Sequence, residues 1–297
     1  MTWQRRTPGF HTKYQMPFAS KGGITGVVLF QKENYLASIH DLTMVKNGLT
    51  IDYKCSDWFQ PIVAQTVSIT MLNDASEGTY FWEYDDLFGA DEFEWRILID
   101  VSDNGKQVNL FNGFLNSEAT SARYLNNSTV NFTASNYLSK LKDISPSIID
   151  TLEQRTFVDI LQNSLSKTGK DASLWVNMTL EPSALRRGSV VDEYGAWQRT
   201  AVATDVFWKN ETERDGATDV LTKILTPFNS YIYWWDNNWR VERYNDMDEG
   251  PKYYRKYDPS TCYSYSTPPC QHELVADPSY NLGDFNQVGY SQQITIT

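Results

Sequence analysis

Residues 214–244 constrain the fold more than any other stretch, because an amphipathic helix there runs directly into an aromatic hairpin. Asp215 precedes a run in which Ala217, Val220, Leu221, Ile224 and Leu225 fall on one helical face, and Pro227 ends it. The period then changes. Residues 231–235 and 239–244 read as strands joined across Asp236, Asn237 and Asn238, residue types that favour tight turns. Neighbours in a strand point to opposite faces, so one of Trp234 and Trp235 belongs to the core and the other to the surface or a joint between subunits.

The first half reads differently. Strand-like runs at 25–30, 50–55, 66–72, 93–101, 108–115 and 129–134, separated by turn residues and nearly free of helix, predict a small β-barrel or sandwich. Within the third run, Val67, Ile69 and Met71 alternate with Thr66, Ser68 and Thr70. Asn47 and Gly48 predict a hairpin turn between Met44-Val45 and residues 49–51, and Asp103, Asn104 and Gly105 predict another before the run at 108–115. A short helical piece at 136–142 comes before Pro146. Beyond it Thr156 caps a helix with Asp159 at the third position, a capping-box-like pattern. Phe157, Ile160, Leu161 and Leu165 line one face of that helix, and Gly169 stops it. A strand at 174–180 and a weakly patterned segment at 181–210 lead to the helix and hairpin.

The chain is therefore expected to be mainly β, of α+β class. A barrel-like domain spans 24–145 and an α/β middle domain with two helices and the hairpin spans 146–245. Residues 246–297 form a Tyr-rich connector that closes in a strand. Residues 1–23, interrupted by Pro8, Gly9, Pro17, Gly22 and Gly23, read as an extended arm with Trp3, Phe10, Tyr14 and Phe18 as anchors, of the kind that orders against a partner.

Composition narrows function. A 14% aromatic share among 297 residues suits pleated structure and broad contact surfaces. The formal charge of −11 argues against nucleic-acid binding by the whole surface, although a negative wall lets a polyanion pass without holding it. Three cysteines, Cys55, Cys262 and Cys270, are too few for a secreted disulfide framework. The last two pair locally only if the Pro268-Pro269 turn folds back. No apolar run reaches the length of a membrane span, and residues 1–18 have no apolar core of a signal peptide.

Catalytic signatures are missing. His11, His40 and His272 have no partner at metal-binding spacing, the nearest approach being Cys270 with His272. No nucleophile elbow, phosphate loop or dinucleotide fingerprint occurs, and the glycines at 22, 23 and 26 lack the lysine and helix that phosphate binding needs. The stretch from Glu77 to Glu94, rich in carboxylates, reads as an acidic aromatic loop. No catalytic residue, cofactor or metal is expected. Trp234, Trp235 and Trp239 remain, and their rings suit either a partner contact or a sugar face.

The order of elements resembles the hub proteins of tailed-phage tails and baseplates, related to the spike-base hub of contractile injection systems. Three pieces carry the resemblance: the strand 108–115 with its Phe111-x-Gly113 step, followed by the strand 129–135 and short helix 136–141; the helix 156–169; and the helix 217–225 with its aromatic hairpin. The resemblance implies a trimer or ring at the tail end through which DNA passes without specific binding, joining tail tube proteins to spike, fibre or tip proteins. It implies a structural virion protein, assembled in the host bacterial cytoplasm, with no catalytic role. Trp3, Phe10, Tyr14, Trp234, Trp235 and Trp239 are the expected partner-binding residues. The alternative is a Trp/Tyr-rich glycan-binding β module.

Overall fold

The computed structural model describes residues 9–19, 24–54, 59–73, 84–88, 91, 93–103, 106–119, 121–122, 128–177, 180, 196–244, 253–258, 272–276 and 293–296. The chain is mainly β and divides into two compact units: residues 1–54, 65–136 and 287–297 in one, 55–64 and 137–286 in the other.

Among the described residues, the first unit forms one ten-stranded sheet. Its strands are β1 (Phe10–Ala19), β2 (Thr25–Glu33), β3 (His40–Asp41), β4 (Met44–Lys54), β5 (Ala64–Asn73), β6 (Trp95–Asp103), β7 (Lys106–Leu115), β8 (Ser121–Ala122), β9 (Ser128–Asn136) and, from the far end of the chain, β17 (Gln293–Ile296). Hydrogen-bonded order runs β17-β4-β5-β9-β7-β6-β2-β1-β3, with β8 also on β9, and the β1–β3 pair is parallel. Among the described residues no pairing joins β17 to β3, so the path is open where a closed barrel would have none. Alternation builds the core: Val67, Ile69 and Met71 lie opposite Ala134, Phe132 and Val130, and all six are fully buried. In β2 the buried run from Gly26 to Gln31 shows no alternation, as befits a strand covered on both faces.

Phe10–Ala19, within the stretch read as an arm, is a full strand paired with β2. Asn47 and Gly48 make no hairpin. Asn47 is left-handed (φ 60°), yet the chain continues as a single strand from Met44 to Lys54, so the residue bends β4 instead of reversing it. Gly48 is needed there because a Cβ would stand 2.4 Å from the Thr70 carbonyl oxygen.

In the second unit a 3₁₀ helix, Tyr137–Asp143, leads to β10 (Gln154–Thr156), α1 (Phe157–Ser166), β11 (Leu174–Asn177), α2 (Ala196–Arg199), β12 (Ala201–Ala203), α3 (Ala217–Leu225), β13 (Ser230–Trp235), β14 (Asn238–Arg243), β15 (Tyr253–Tyr257) and β16 (His272–Ala276). The last two lie in the Tyr-rich stretch. Order in the five-stranded sheet is β13-β14-β11-β15-β16, while β10 and β12 form a two-stranded sheet of their own. The cap of α1 forms as the sequence predicts: the Thr156 hydroxyl accepts from the Asp159 N–H (3.2 Å) and donates to the Asp159 carboxylate (2.7 Å). Asp215 does not cap α3. Gly216 takes the cap position, and the buried Asp215 carboxylate instead holds Lys223 Nζ at 2.5 Å. The helix does end ahead of Pro227, at Leu225; a 3₁₀ turn, Thr226–Phe228, contains the proline, and the left-handed Asn229 closes it.

Candidate functional site: an aromatic face of the second sheet

The hairpin turn contains two residues, Asp236 and Asn237, both left-handed at φ 46° and 61°, and Asn238 already pairs with Trp235. That register sorts every side chain. Ile232, Trp234, Trp239 and Val241 share one face with Leu174 and Val176, and all six are buried. Trp234 and Trp239 meet edge to face at 4.7 Å between centroids.

The opposite face carries Tyr231, Tyr233 and Trp235 on β13, Arg240 and Glu242 on β14, and Trp175 on β11. Rings form a continuous row across it. Phe59 meets Tyr244 at 5.6 Å, Tyr244 meets Tyr231 at 4.9 Å, and Tyr231 stacks on Tyr233 at 5.5 Å. Phe59 lies beside the row because residues 61–63, just after it, pair along the edge of β13: Val63 N–H donates to Ile232 O, and Ile232 N–H donates to Pro61 O. On the other side Trp175 lies 5.8 Å from Tyr254, and the Arg240 guanidinium sits 5.1 Å from both rings.

Glu242 is the floor of this face. It is fully buried and accepts hydrogen bonds from the hydroxyls of Tyr233 (2.5 Å) and Tyr254, with Tyr231 at 3.5 Å. Burial, and then the Glu242 charge, hold the Tyr233 phenol well above its ordinary pKa. The carboxylate oxygens are thus engaged inside the core, while the reachable part of the face is made of rings: Phe59 is 64% exposed, and Tyr231, Tyr244, Trp175 and Trp235 are half-buried. Such a surface suits contact with a partner or ligand.

A second cluster, in the first unit, is built on Asp86. Its carboxylate takes Lys13 Nζ at 2.6 Å and the Tyr14 hydroxyl at 2.8 Å, with Lys32 at 3.7 Å, while Lys32 also holds Glu94 at 2.8 Å. Trp95 stacks on Tyr14 and donates its indole N–H to the Asp86 carbonyl. These bonds pin residues 84–88 to β1, β2 and β6. Among the described residues no group of three or more His, Cys, Asp or Glu side chains is placed to hold a metal, and no helix is long and apolar enough to cross a membrane.

Several expected contact residues are therefore core residues. Phe10, Tyr14, Trp234 and Trp239 are buried within the chain, Phe10 beneath the Arg96 guanidinium at 3.9 Å, so their faces are filled already. Trp235 is half-buried on the aromatic face. Trp3, and the question of Cys262 with Cys270, lie outside the described residues. Of the remaining members of the face, Trp175 and Tyr244 lie in runs that read as strands, whereas Phe59 and Tyr254 lie in stretches that no local pattern marks. Tyr231 and Tyr233 were marked only by their alternation with Ile232.

The raised tyrosines give a test of the burial. Tyr14 is raised by burial and its bond to Asp86, Tyr84 is pushed up to about 12 by burial, and Tyr233 is raised as described above. Above about pH 10 the unfolded chain loses these phenolic protons and the folded chain keeps them. Stability is therefore complete below about pH 10 and falls as pH rises beyond it. Titration of phenolate absorbance should show these groups ionising together with unfolding, and smooth ionisation of all eighteen tyrosines in a still-folded chain would contradict the burial.

No protein-family model matches the chain, and no curated protein matches it. Among solved structures it is similar to the 43 kDa tail protein of prophage MuSo2 from Shewanella oneidensis, at 13% identity and a TM-score of 0.36, over 68% of this chain and 52% of that one. The chain spans about half the length of that protein, and a likeness of this size carries no argument for what it does.

Proposed function

We propose that the protein is a structural component of a phage tail, a hub subunit that assembles into a ring at the tail end and joins tube proteins to spike, fibre or tip proteins. The observation that carries the reading is the order of elements. A largely antiparallel β unit, with the Phe111-x-Gly113 step where β7 lies close against β9, leads through a 3₁₀ helix into α1, β11, α3 and the aromatic hairpin, the order that the resemblance to tail hubs rests on. The charge of −11 suits a passage that lets DNA through without holding it, and the ring-rich face suits a chain with much of its surface in contacts. In this reading the protein acts by shape and assembly in the virion. Imaging and native mass measurement should find a threefold assembly, three times the 34.2 kDa monomer, or a larger ring with a central hole. A monomer at high concentration that also fails to join purified tail parts would overturn it.

The half-exposed rings of Phe59, Tyr231, Tyr244 and Trp235 favour a second reading, a glycan-binding β module. Binding to a polysaccharide panel that disappears in Trp235→Ala, with the fold intact, would support it. No binding to any glycan removes it.

A further inference from the structure

The sequence holds three Asn-Gly steps, at 47–48, 104–105 and 112–113, and the second of them lies outside the described residues. The other two occupy very different places. Asn112 and Gly113 are in β7, which pairs on one side with β6, through Leu98–Asn112 and Ile97–Gly113, and on the other with β9, through Gly113–Asn136. Asn112 is 1% exposed, and neither polar atom of its carboxamide has a hydrogen-bond partner among the described residues, so packing and the strand ladder alone hold it. Asn47 is exposed and left-handed within β4. Its strand is flanked by β5, but on the far side the described pairing with β17 covers Leu49 to Asp52 and stops short of Gly48.

An asparagine before glycine is open to attack by its own backbone, because no side chain on the glycine hinders the approach of its nitrogen to the carboxamide carbon. That approach needs rotation out of the strand, so the rate in a folded chain follows the ease of local opening. Opening is easiest at sheet edges and irregular bends and hardest in central, doubly paired strands. Asn47 stands at a bend with pairing on one side, and Asn112 stands in the middle of the sheet.

We propose that Asn47 is a site of spontaneous deamidation and backbone isomerisation in the folded protein, and that the same dipeptide at 112–113 is protected by its place in the sheet. The Gly48 nitrogen forms a bond to the Asn47 carboxamide carbon, the bond from that carbon to the side-chain nitrogen breaks, and ammonia departs with the proton that Gly48 gave up. Water then opens the cyclic imide at one of its two carbonyls, leaving either aspartate or isoaspartate, so the net exchange is one water for one ammonia with no change of oxidation state. Isoaspartate adds one carbon to the main chain and does not fit β4. Even a Cβ on Gly48 would stand 2.4 Å from the Thr70 carbonyl oxygen and 2.8 Å from that of Val45, so a lengthened backbone there has to part from β5, next to the fully buried Leu49 and Ile51.

The test incubates the full chain in mildly alkaline buffer, once folded and once in denaturant, and follows the two peptides by mass after digestion, with aspartate and isoaspartate separated by chromatography. In denaturant both steps should react at similar rates. In the folded chain Asn47 should react about tenfold or more faster than Asn112. A folded chain in which Asn47 stays as intact as Asn112 overturns the proposal. A second measurement separates the lengthened backbone from the added charge: the isolated isoaspartate form should melt below the parent, while Asn47→Asp, which adds the same charge to an exposed side chain, should melt with it. An isoaspartate form as stable as Asn47→Asp overturns the misfit at β4.

Discussion

Replacing Glu242 with leucine is expected to destabilise the protein by about 3–5 kcal/mol and to lower the melting temperature by about 10 °C. The carboxylate is sealed in the second sheet, where it accepts from the hydroxyls of Tyr233 and Tyr254. Leucine fills similar space but accepts nothing, so two buried hydroxyl donors lose their acceptor at about 1–3 kcal/mol each. Arg240, two residues along the same strand and fully buried on the same face, also loses a nearby negative charge. The converse changes should be milder: Tyr233→Phe and Tyr254→Phe each remove one donor and leave Glu242 with other partners, at about 1–2 kcal/mol. A triple variant with leucine and both phenylalanines should then be more stable than the sum of its parts, because no donor is left unmatched. Denaturant unfolding of the set measures this. A loss below about 1 kcal/mol for Glu242→Leu, or strict additivity, would show that the phenol bonds contribute nothing to the fold.

What the sequence made legible was local. The Thr156 cap needs three residues within one turn, and the hairpin register needs two left-handed turn residues between alternating runs, so both are written in contiguous stretches. Asn47 and Gly48 show the limit of that logic. The pair has the backbone freedom of a hairpin turn, but whether it reverses or only bends the strand depends on β5 lying alongside, with the Thr70 oxygen against Gly48. Asp215 is similar: it stands one residue before the cap of α3, and the tertiary attraction of Lys223 outweighs the cap. The aromatic face was least legible. Alternation separates Trp234 from Trp235, but it says nothing of Phe59 arriving beside Tyr244 from far along the chain, or of Glu242 being covered. Burial is a property of what lies on top of a sheet, and strand periodicity reports only which side faces it.

Gly113→Ala should cost about 3 kcal/mol or more, by a mechanism unrelated to backbone freedom. A Cβ at Gly113 would stand 2.2 Å from the Ser135 carbonyl oxygen, 2.8 Å from its carbonyl carbon and 2.7 Å from Phe111 Cζ. Two of these atoms belong to backbone, so no rotamer change relieves the contact. The strand has to move. Here β7 pairs with β9 through Gly113–Asn136 and Phe114–Ser135, and β7 links β9 to β6 in the middle of the sheet, so parting them opens the core around Phe111 and Phe132. Gly9 is the control. It has a left-handed φ of 81°, yet nothing lies within 4 Å of its missing Cβ, so Gly9→Ala carries conformational strain alone, at about 1 kcal/mol. Thermal melts of the two variants separate the causes: steric closure predicts the larger loss at Gly113, backbone freedom predicts it at Gly9. A Gly113→Ala chain as stable as its parent would mean that β7 and β9 part there without loss, and the Phe111-x-Gly113 step would then have no structural reason.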